Sequence, residues 1–179
     1  DINGMNSRWN TAGLIIGFGG TGTLSVTDLG RVSSTTLTIG SSSFGQAGTG
    51  TLNIASSGLV DVSSSTFVGN GGQGSINFDN GTLTTKTLLV NNFDQLTGTG
   101  IINTKGLVTN GDLSFDQSHG VQRPILLNSQ PNQNVTINLD VNGTGDLGDG
   151  YSGQGTLTIA EGVTVSSASG YLGYLAGSN

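Results

Sequence analysis

The chemistry open to this 179-residue chain lies mainly in eleven acidic side chains and a single imidazole, and in how they are spaced. Two acid pairs stand close together: Asp112 and Asp116 in DLSFD, and Asp146 and Asp149 in GDLGDG. Glycoside hydrolysis needs two carboxyls facing each other across ~5 to 9.5 Å. Asp112 and Asp116 lie four residues apart, so on a strand they leave the same face ~13 Å apart. Solvated turn carboxylates are therefore the expectation. The segment GDLGDGYSG offers two carboxylates and backbone carbonyls that could hold Ca²⁺ weakly, which makes Asp146 and Asp149 the metal candidates. It matches neither the EF-hand nor the GGxGxD pattern, and a plain tight turn is the simpler reading. His119, in QSHGVQRP, has no Ser/His/Asp order around it and by itself falls short of the three or four ligands of a usual metal site. GFGGTG at 17–22 lacks the Lys-Ser/Thr and the helix of a phosphate loop. No catalytic residue and no cofactor are assigned, and the chain is expected to be non-catalytic.

Charge and composition narrow the classes further. Five basic residues against eleven acidic ones give a net charge of -6, with no basic patch interleaved with aromatics, so no nucleic-acid partner is expected. No run of ~18 apolar residues is present, so membrane insertion through a helix of this segment is not expected. Cysteine is absent, and 32 residues are glycine without a one-in-three period. Low charge with abundant Gly, Ser, Thr and Asn fits a secreted or cell-surface protein. Asp1 in place of an initiator Met suggests a processed or excised segment. The acceptor pattern at Asn80, Asn134 and Asn142 arises readily by chance in so Asn- and Thr-rich a chain.

The elements that must position these side chains are announced by a returning phrase. GTGTLSV begins at 20, GTGTLNI at 48, GQGSINF at 72, GTGIINT at 98 and GQGTLTI at 153. Successive starts differ by 28, 24, 26 and 55 residues, the last close to two periods. Within each phrase the apolar residues alternate, as in a half-buried strand. A second phrase ends in an apolar residue and glycine: GLIIG at 13–17, TLTIG at 36–40, STFVG at 65–69 and GYLG at 170–173. A third comprises LGRVSS at 29–34, SGLVDV at 57–62, KGLVTN at 105–110 and EGVTVS at 161–166. Repetition at this period means stacked supersecondary units. The expected fold is all-β: a right-handed parallel β-helix (β-solenoid) of about seven coils of ~24–28 residues, each with about three short strands between Gly or polar corners. The whole chain, 1–179, forms a single domain in this reading.

Stacked equivalents predict inward rows. One holds Leu24, Leu52, Ile76, Ile102 and Leu157; the next holds Val26, Ile54, Phe78 and Ile159; another face holds Ile16, Ile39, Val68, Val90 and Leu172. The span 111–150 is the least regular, with both prolines, the His and Arg123, so ligand-binding loops are expected there. His119, Arg123 and Tyr151 are the candidate ligand surface. Trp9, Phe18, Tyr151, Tyr171 and Tyr174 could form a carbohydrate strip or stack on one another.

The series SRWNTAGLIIGFGGTGTLSV, GRVSSTTLTIGSSSFGQAGTGTLNIASSGLV and GQGSINFDNGTLTTKTLLV resembles the repeats of bacterial autotransporter-type passenger domains and related β-solenoid surface proteins. There a G-S-x-W phrase precedes L-x-V-G-x-x-G-x-G-x-L-x-I-x-x-G-G-x-V. Ser7 and Trp9 match the first part; Leu14, Ile16, Gly17, Gly22, Leu24, Val26 and Gly30 match the second. The resemblance implies an extracellular or cell-surface solenoid with an adhesive or structural role. Both ends of the chain read as parts of one repeat, so head-to-tail self-association is expected through Ile2, Trp9, Leu14, Ile16, Tyr171, Leu172, Tyr174 and Leu175. Adhesion to surface glycans or proteins is the alternative, and a polysaccharide-active enzyme the remote third.

Overall fold

Short alternating apolar and polar runs, punctuated by glycine and hydroxyl residues, can bury one face only by lying beside another strand of the same kind. The computed structural model describes residues 1–160 and 162–174 and is all-β. Fourteen strands form one large, mostly parallel sheet, and two more form a small parallel sheet.

Several inward rows build the core, among them Leu14–Leu37–Thr66–Leu88–Leu107–Leu147, and four others define its faces. The first runs Ile16–Ile39–Val68–Val90–Thr109–Asp149–Leu172 through β2 (Arg8–Phe18), β4 (Arg31–Ser43), β7 (Leu59–Asn70), β8 (Gln73–Val90), β10 (Leu107–Thr109), β14 (Leu147–Asp149) and β16 (Gly170–Leu172). The second is Leu24–Leu52–Ile76–Leu96, on β3 (Thr21–Thr27), β6 (Thr49–Ala55), β8 and β9 (Leu96–Thr104). The third starts at Ile2 in β1 (Ile2–Asn3) and continues Val26–Ile54–Phe78–Gly98–Gln133, ending on β13 (Gln133–Asp140). The fourth is Trp9–Val32–Val60–Leu83–Ile102–Ile137. Each buried Leu or Ile contributes roughly 1.5–3 kcal/mol relative to exposure. Outside the sheet, Asn53 donates to Ser25 from 28 residues away and Asn77 to Asn53 from 24, while Thr97 donates to Asn77 from 20.

Three kinds of bend connect the rows. At the first, Gly17, Gly40 and Gly69 take positive φ. A Cβ on Gly40 would strike the carbonyl of Gln73, and one on Gly50 or Gly74 would strike the carbonyl of Ile16 or Ile39. The two recurring glycine phrases are thus opposite sides of one tight junction. At the second, positive φ falls on Asp28, Leu29, Ser56, Ser57 and Asn80 instead of glycine. The glycines that follow supply space: Cβ atoms on Gly58 and Gly81 would collide with the backbone of Val26 and Ile54. The third bend leaves β2, β4, β7 and β8 continuous and breaks the strand only between β9 and β10 (Leu107–Thr109). β4 runs for 13 residues and β8 for 18, so the expected three short strands per period become longer strands bent at this point. There an inward hydroxyl donates to the carbonyl two residues on: Thr11 to Gly13 (3.1 Å), Ser34 to Thr36 (3.1 Å), Thr85 to Thr87 (3.1 Å) and Thr104 to Gly106 (2.7 Å). Carbonyls freed by the bend are satisfied without a turn.

Register departs from the sequence expectation after Val90. A 3-10 turn at Phe93–Gln95, capped by Asn92, brings Leu96 onto the second row in place of Ile102. Ile102 moves to the fourth row. The glycines of GTGIINT serve Phe78: a Cβ on Gly98 would strike its carbonyl and one on Gly100 its ring. Leu157 and Ile159, in β15 (Leu157–Ile159), pair instead with Leu113 and Phe115 in β11 (Leu113–Phe115), because β13 occupies the place beside β9. β12 (Gln122–Leu127) then runs antiparallel along β13, with Pro124 opposite Asn138. Gln133 closes the third row with its Nε2 donating to the carbonyls of Phe93 (2.9 Å) and Leu96 (2.8 Å).

A two-strand hairpin, Ser42–Ser43 against β5 (Gln46–Ala47), is inserted at the first bend and displays Phe44 fully exposed at φ 49°. A bulky residue at positive φ is strained by about 1–2 kcal/mol, which Asn relieves. Phe44→Asn should therefore raise stability by about 1 kcal/mol, whereas Gly40→Ala should lower it by several times that. Urea denaturation of the two variants checks both signs.

Candidate functional site

The acidic and aromatic residues singled out in the sequence gather near the end of the described chain, but not as a solvent-facing site. Asp149 occupies the first inward row between Thr109 and Leu172 and is 1% exposed. The expectation of a solvated turn carboxylate is overturned: β14 places residue 149 at an inward position, and the next residue, Gly150, turns the chain at φ 68°. Its Oδ1 accepts from the Gly150 N–H at 2.7 Å, and its Oδ2 has no hydrogen-bond partner among the described residues. The carboxyl fills the space where a Cβ on Gly155 would stand. Burial pushes its pKa up; the N–H groups of Gly150 and Leu113 partly counter this, and nearby Asp112 adds to it.

Asp146 does not join Asp149. Its N–H donates to the Thr87 hydroxyl at 3.0 Å, and that hydroxyl lies 3.4 Å from its Oδ2. Asp112 accepts from the Thr156 N–H at 2.9 Å, tying β11 to the segment before β15. Among the described residues no group of three or more His, Cys, Asp or Glu converges in a way that could hold a metal ion.

Asp116 and His119 are brought together. The His119 Nδ1 lies 3.0 Å from both carboxylate oxygens, and Asp116 Oδ1 also accepts from the N–H groups of Ser118 (2.8 Å) and His119 (2.6 Å). The His119 ring, and then its backbone N–H, hold Asp116 below the ordinary carboxylate value. This exposed pair is the one ion pair among the described residues. Arg123 lies over the Phe115 ring at 5.3 Å and donates to the Ser114 carbonyl at 2.6 Å. Burial lowers its pKa, opposed by the charge of Asp116. His119 and Arg123 thus fold the 116–123 loop onto β11, a structural use of both.

Tyr151 is 1% exposed, so it offers no ligand surface. It covers Leu89 and Val108 on the outer side of the sheet and stacks on Tyr174 at 5.2 Å; Tyr171 meets Tyr174 edge-on at 4.7 Å. Burial and the neighbouring Tyr174 raise the Tyr151 pKa to about 12. The aromatic residues of this end pack on one another, while Trp9 and Phe18 lie at the far end on β2.

The residues expected to join copies fall into two groups. Leu14 and Ile16 are buried within the chain's own core, and Ile2 packs against it. Trp9 (40% exposed) and Leu172 (76% exposed) remain open, as does Ile15 (52% exposed), which sequence reading passed over because it faces outward. Tyr171 and Tyr174 belong to the tyrosine cluster, and Leu175 lies outside the described residues. No family model matches the chain, and no curated protein or solved structure matches it significantly.

A carboxyl with a raised folded pKa is most favourable to the fold while protonated. Its contribution is complete below the ordinary value of 3.8 and is lost as pH rises through the folded value. Asp116 has the opposite sign, its contribution being lost as pH falls below the ordinary value. Comparing Asp149→Asn with the parent chain isolates the first effect. As pH rises past 3.8, the urea midpoint of the parent should fall relative to that of the variant; parallel profiles would mean that Asp149 does not titrate with the fold.

Proposed function

We propose that this chain is a non-catalytic structural segment of a secreted or bacterial cell-surface protein, folded as a right-handed parallel β-helix and stacking head-to-tail with a second copy. The observation that carries it is the first inward row, unbroken through seven aligned residues from Ile16 to Leu172. At one end of that row β2 pairs, among the described residues, only with β4, which leaves its other edge open to a strand. At the other end Leu172 is followed by Gly173 at φ 68°, as Ile16 is followed by Gly17 at φ 75°. The rung Gly170–Gly173 therefore has the backbone form that would seat on Leu14–Gly17 of a second copy, Leu172 over Ile16.

The junction is narrower than a complete coil. β12 runs antiparallel at the end of the fourth row, and its proline cannot donate to an added strand. Association would therefore pass mainly through the rung of Leu172. A role in presenting or building a surface is supported by the parallel pairing along the rod, and the resemblance to autotransporter-type passenger repeats points the same way. The acids that would serve a hydrolase are otherwise engaged: Asp149 in the core, Asp116 with His119, Asp112 with the Thr156 N–H and Asp146 with the Thr87 hydroxyl.

Sedimentation velocity and negative-stain electron microscopy over a concentration series test this reading. Filaments with an axial repeat of ~34 Å, seven rungs at ~4.8 Å, are expected. Leu172→Asp should abolish them while leaving the circular dichroism unchanged. Dispersed short rods at every concentration would overturn the assembly role.

A further inference from the structure

The third bend, which contains no glycine corner, leaves an open groove along the outside of the sheet. A hollow of about 620 Å³ lies over Asn10, Thr35, Asp61 and their neighbours, and one of about 350 Å³ over Lys86, Lys105 and Thr144. They share Val62, Ser63 and Thr84, so they form one continuous trough. The register slips between Ser34 and Leu37, and again between Val62 and Ser65, which widens the bend. One wall is the outward row Asn10–Ser33–Asp61–Thr84.

The charges in the trough are unevenly placed. Lys86 and Lys105 lie on adjacent rungs, the Lys105 N–H donating to the Lys86 carbonyl at 3.2 Å. Among the described residues neither ammonium has a carboxylate within 4.0 Å. Asp146, the nearby acid, is turned to the Thr87 hydroxyl. These are two of only five cationic side chains in a chain of net charge -6. Toward the other end the lining is Ser, Thr and Asn side chains with Ala12, Val62 and a single carboxylate, Asp61.

We infer that this groove binds an extended acidic glycan, its carboxylate held by Lys86 and Lys105 and its sugar hydroxyls donating to Asp61 and the Ser/Thr wall. The mixture decides the class. A nucleic acid, charged at every unit, would run its phosphates past Asp61 and an acidic chain. A peptide adding as a strand needs a free sheet edge; β4, β7 and β8 are already paired on both sides, and the open edge of β2 touches only the first rung of the groove, far from Lys86 and Lys105. A polyhydroxylated chain with spaced acids needs neither. The inference stands apart from head-to-tail assembly, since the groove reaches the terminal strand β2 only at Asn10, Thr11 and Ala12, while its lysines lie on inner rungs and the junction runs through Leu14–Gly17.

The probe is a hyaluronan oligosaccharide, in which a uronic acid alternates with a neutral sugar, titrated into the full chain at low salt by calorimetry, beside its carboxyl-reduced neutral counterpart and poly-glutamate. Saturable binding of the acidic oligomer is expected, weakened at least about tenfold in the Lys86→Gln/Lys105→Gln double variant. Arg31→Gln, on the same sheet but outside the groove, should bind as the parent does, and Asp61→Asn should weaken binding of both sugar oligomers. Circular dichroism of each variant controls for folding. Absence of binding, an equal loss in Arg31→Gln, or equal lysine-dependent binding of poly-glutamate would each overturn the proposal, the last by showing a site for any polyanion.

Discussion

The structure depends on the contact between one rung's glycine bend and the backbone of the rung beside it. Gly17 and Gly40 bring their Cα atoms against the peptides of Thr49–Gly50 and Gln73–Gly74, at distances no Cβ permits. That contact sets which residue lies over which, and the rows follow. Once Ile16 is fixed over Ile39, the alternation of each strand directs Leu24, Val26 and Val32 inward as well. The polar rows outside, Ser25–Asn53–Asn77 among them, inherit the same register.

The three bends solve one problem differently. Turning a strand strands carbonyl and N–H groups that must find partners. The first bend uses positive φ and close glycine packing, and the second uses positive φ on non-glycine residues, Leu29 among them, with a glycine for clearance. The third keeps most strands intact, breaking only between β9 and β10, and lends a side-chain hydroxyl to the exposed carbonyl. The third is the gentlest, and its breadth is what leaves a groove on the outer side. A structural device for hydrogen-bond satisfaction thereby accompanies a concave surface on the outer side of the sheet.

The irregular span 111–150 is better described as a change of pairing than as projecting ligand loops. β13 takes the rung beside β9, β12 folds back antiparallel, and β11 is left to pair with β15. Polar residues repair the mismatch: Gln133 donates to the carbonyls of Phe93 and Leu96, and Arg123 pins Ser114. Asp149 belongs to the same disturbed end, where an apolar row accepts first Thr109 and then a carboxyl.

The sequence by itself determined the period, the strand alternation and the first inward row, whose predicted members Ile16, Ile39, Val68, Val90 and Leu172 all lie on it. These are local patterns: apolar residues two apart and a glycine after them mean the same thing in every repeat. Only the tertiary structure decided that Leu96 replaces Ile102, that Leu157 lies beside Leu113, and that Asp149 and Tyr151 are buried while Lys86 and Lys105 share a groove. Each of those facts depends on residues that meet across one or more rungs, as Thr87 meets Asp146 from 59 positions away. An insertion between rungs leaves the local pattern intact and changes its neighbour, so burial and charge pairing become properties of the stack.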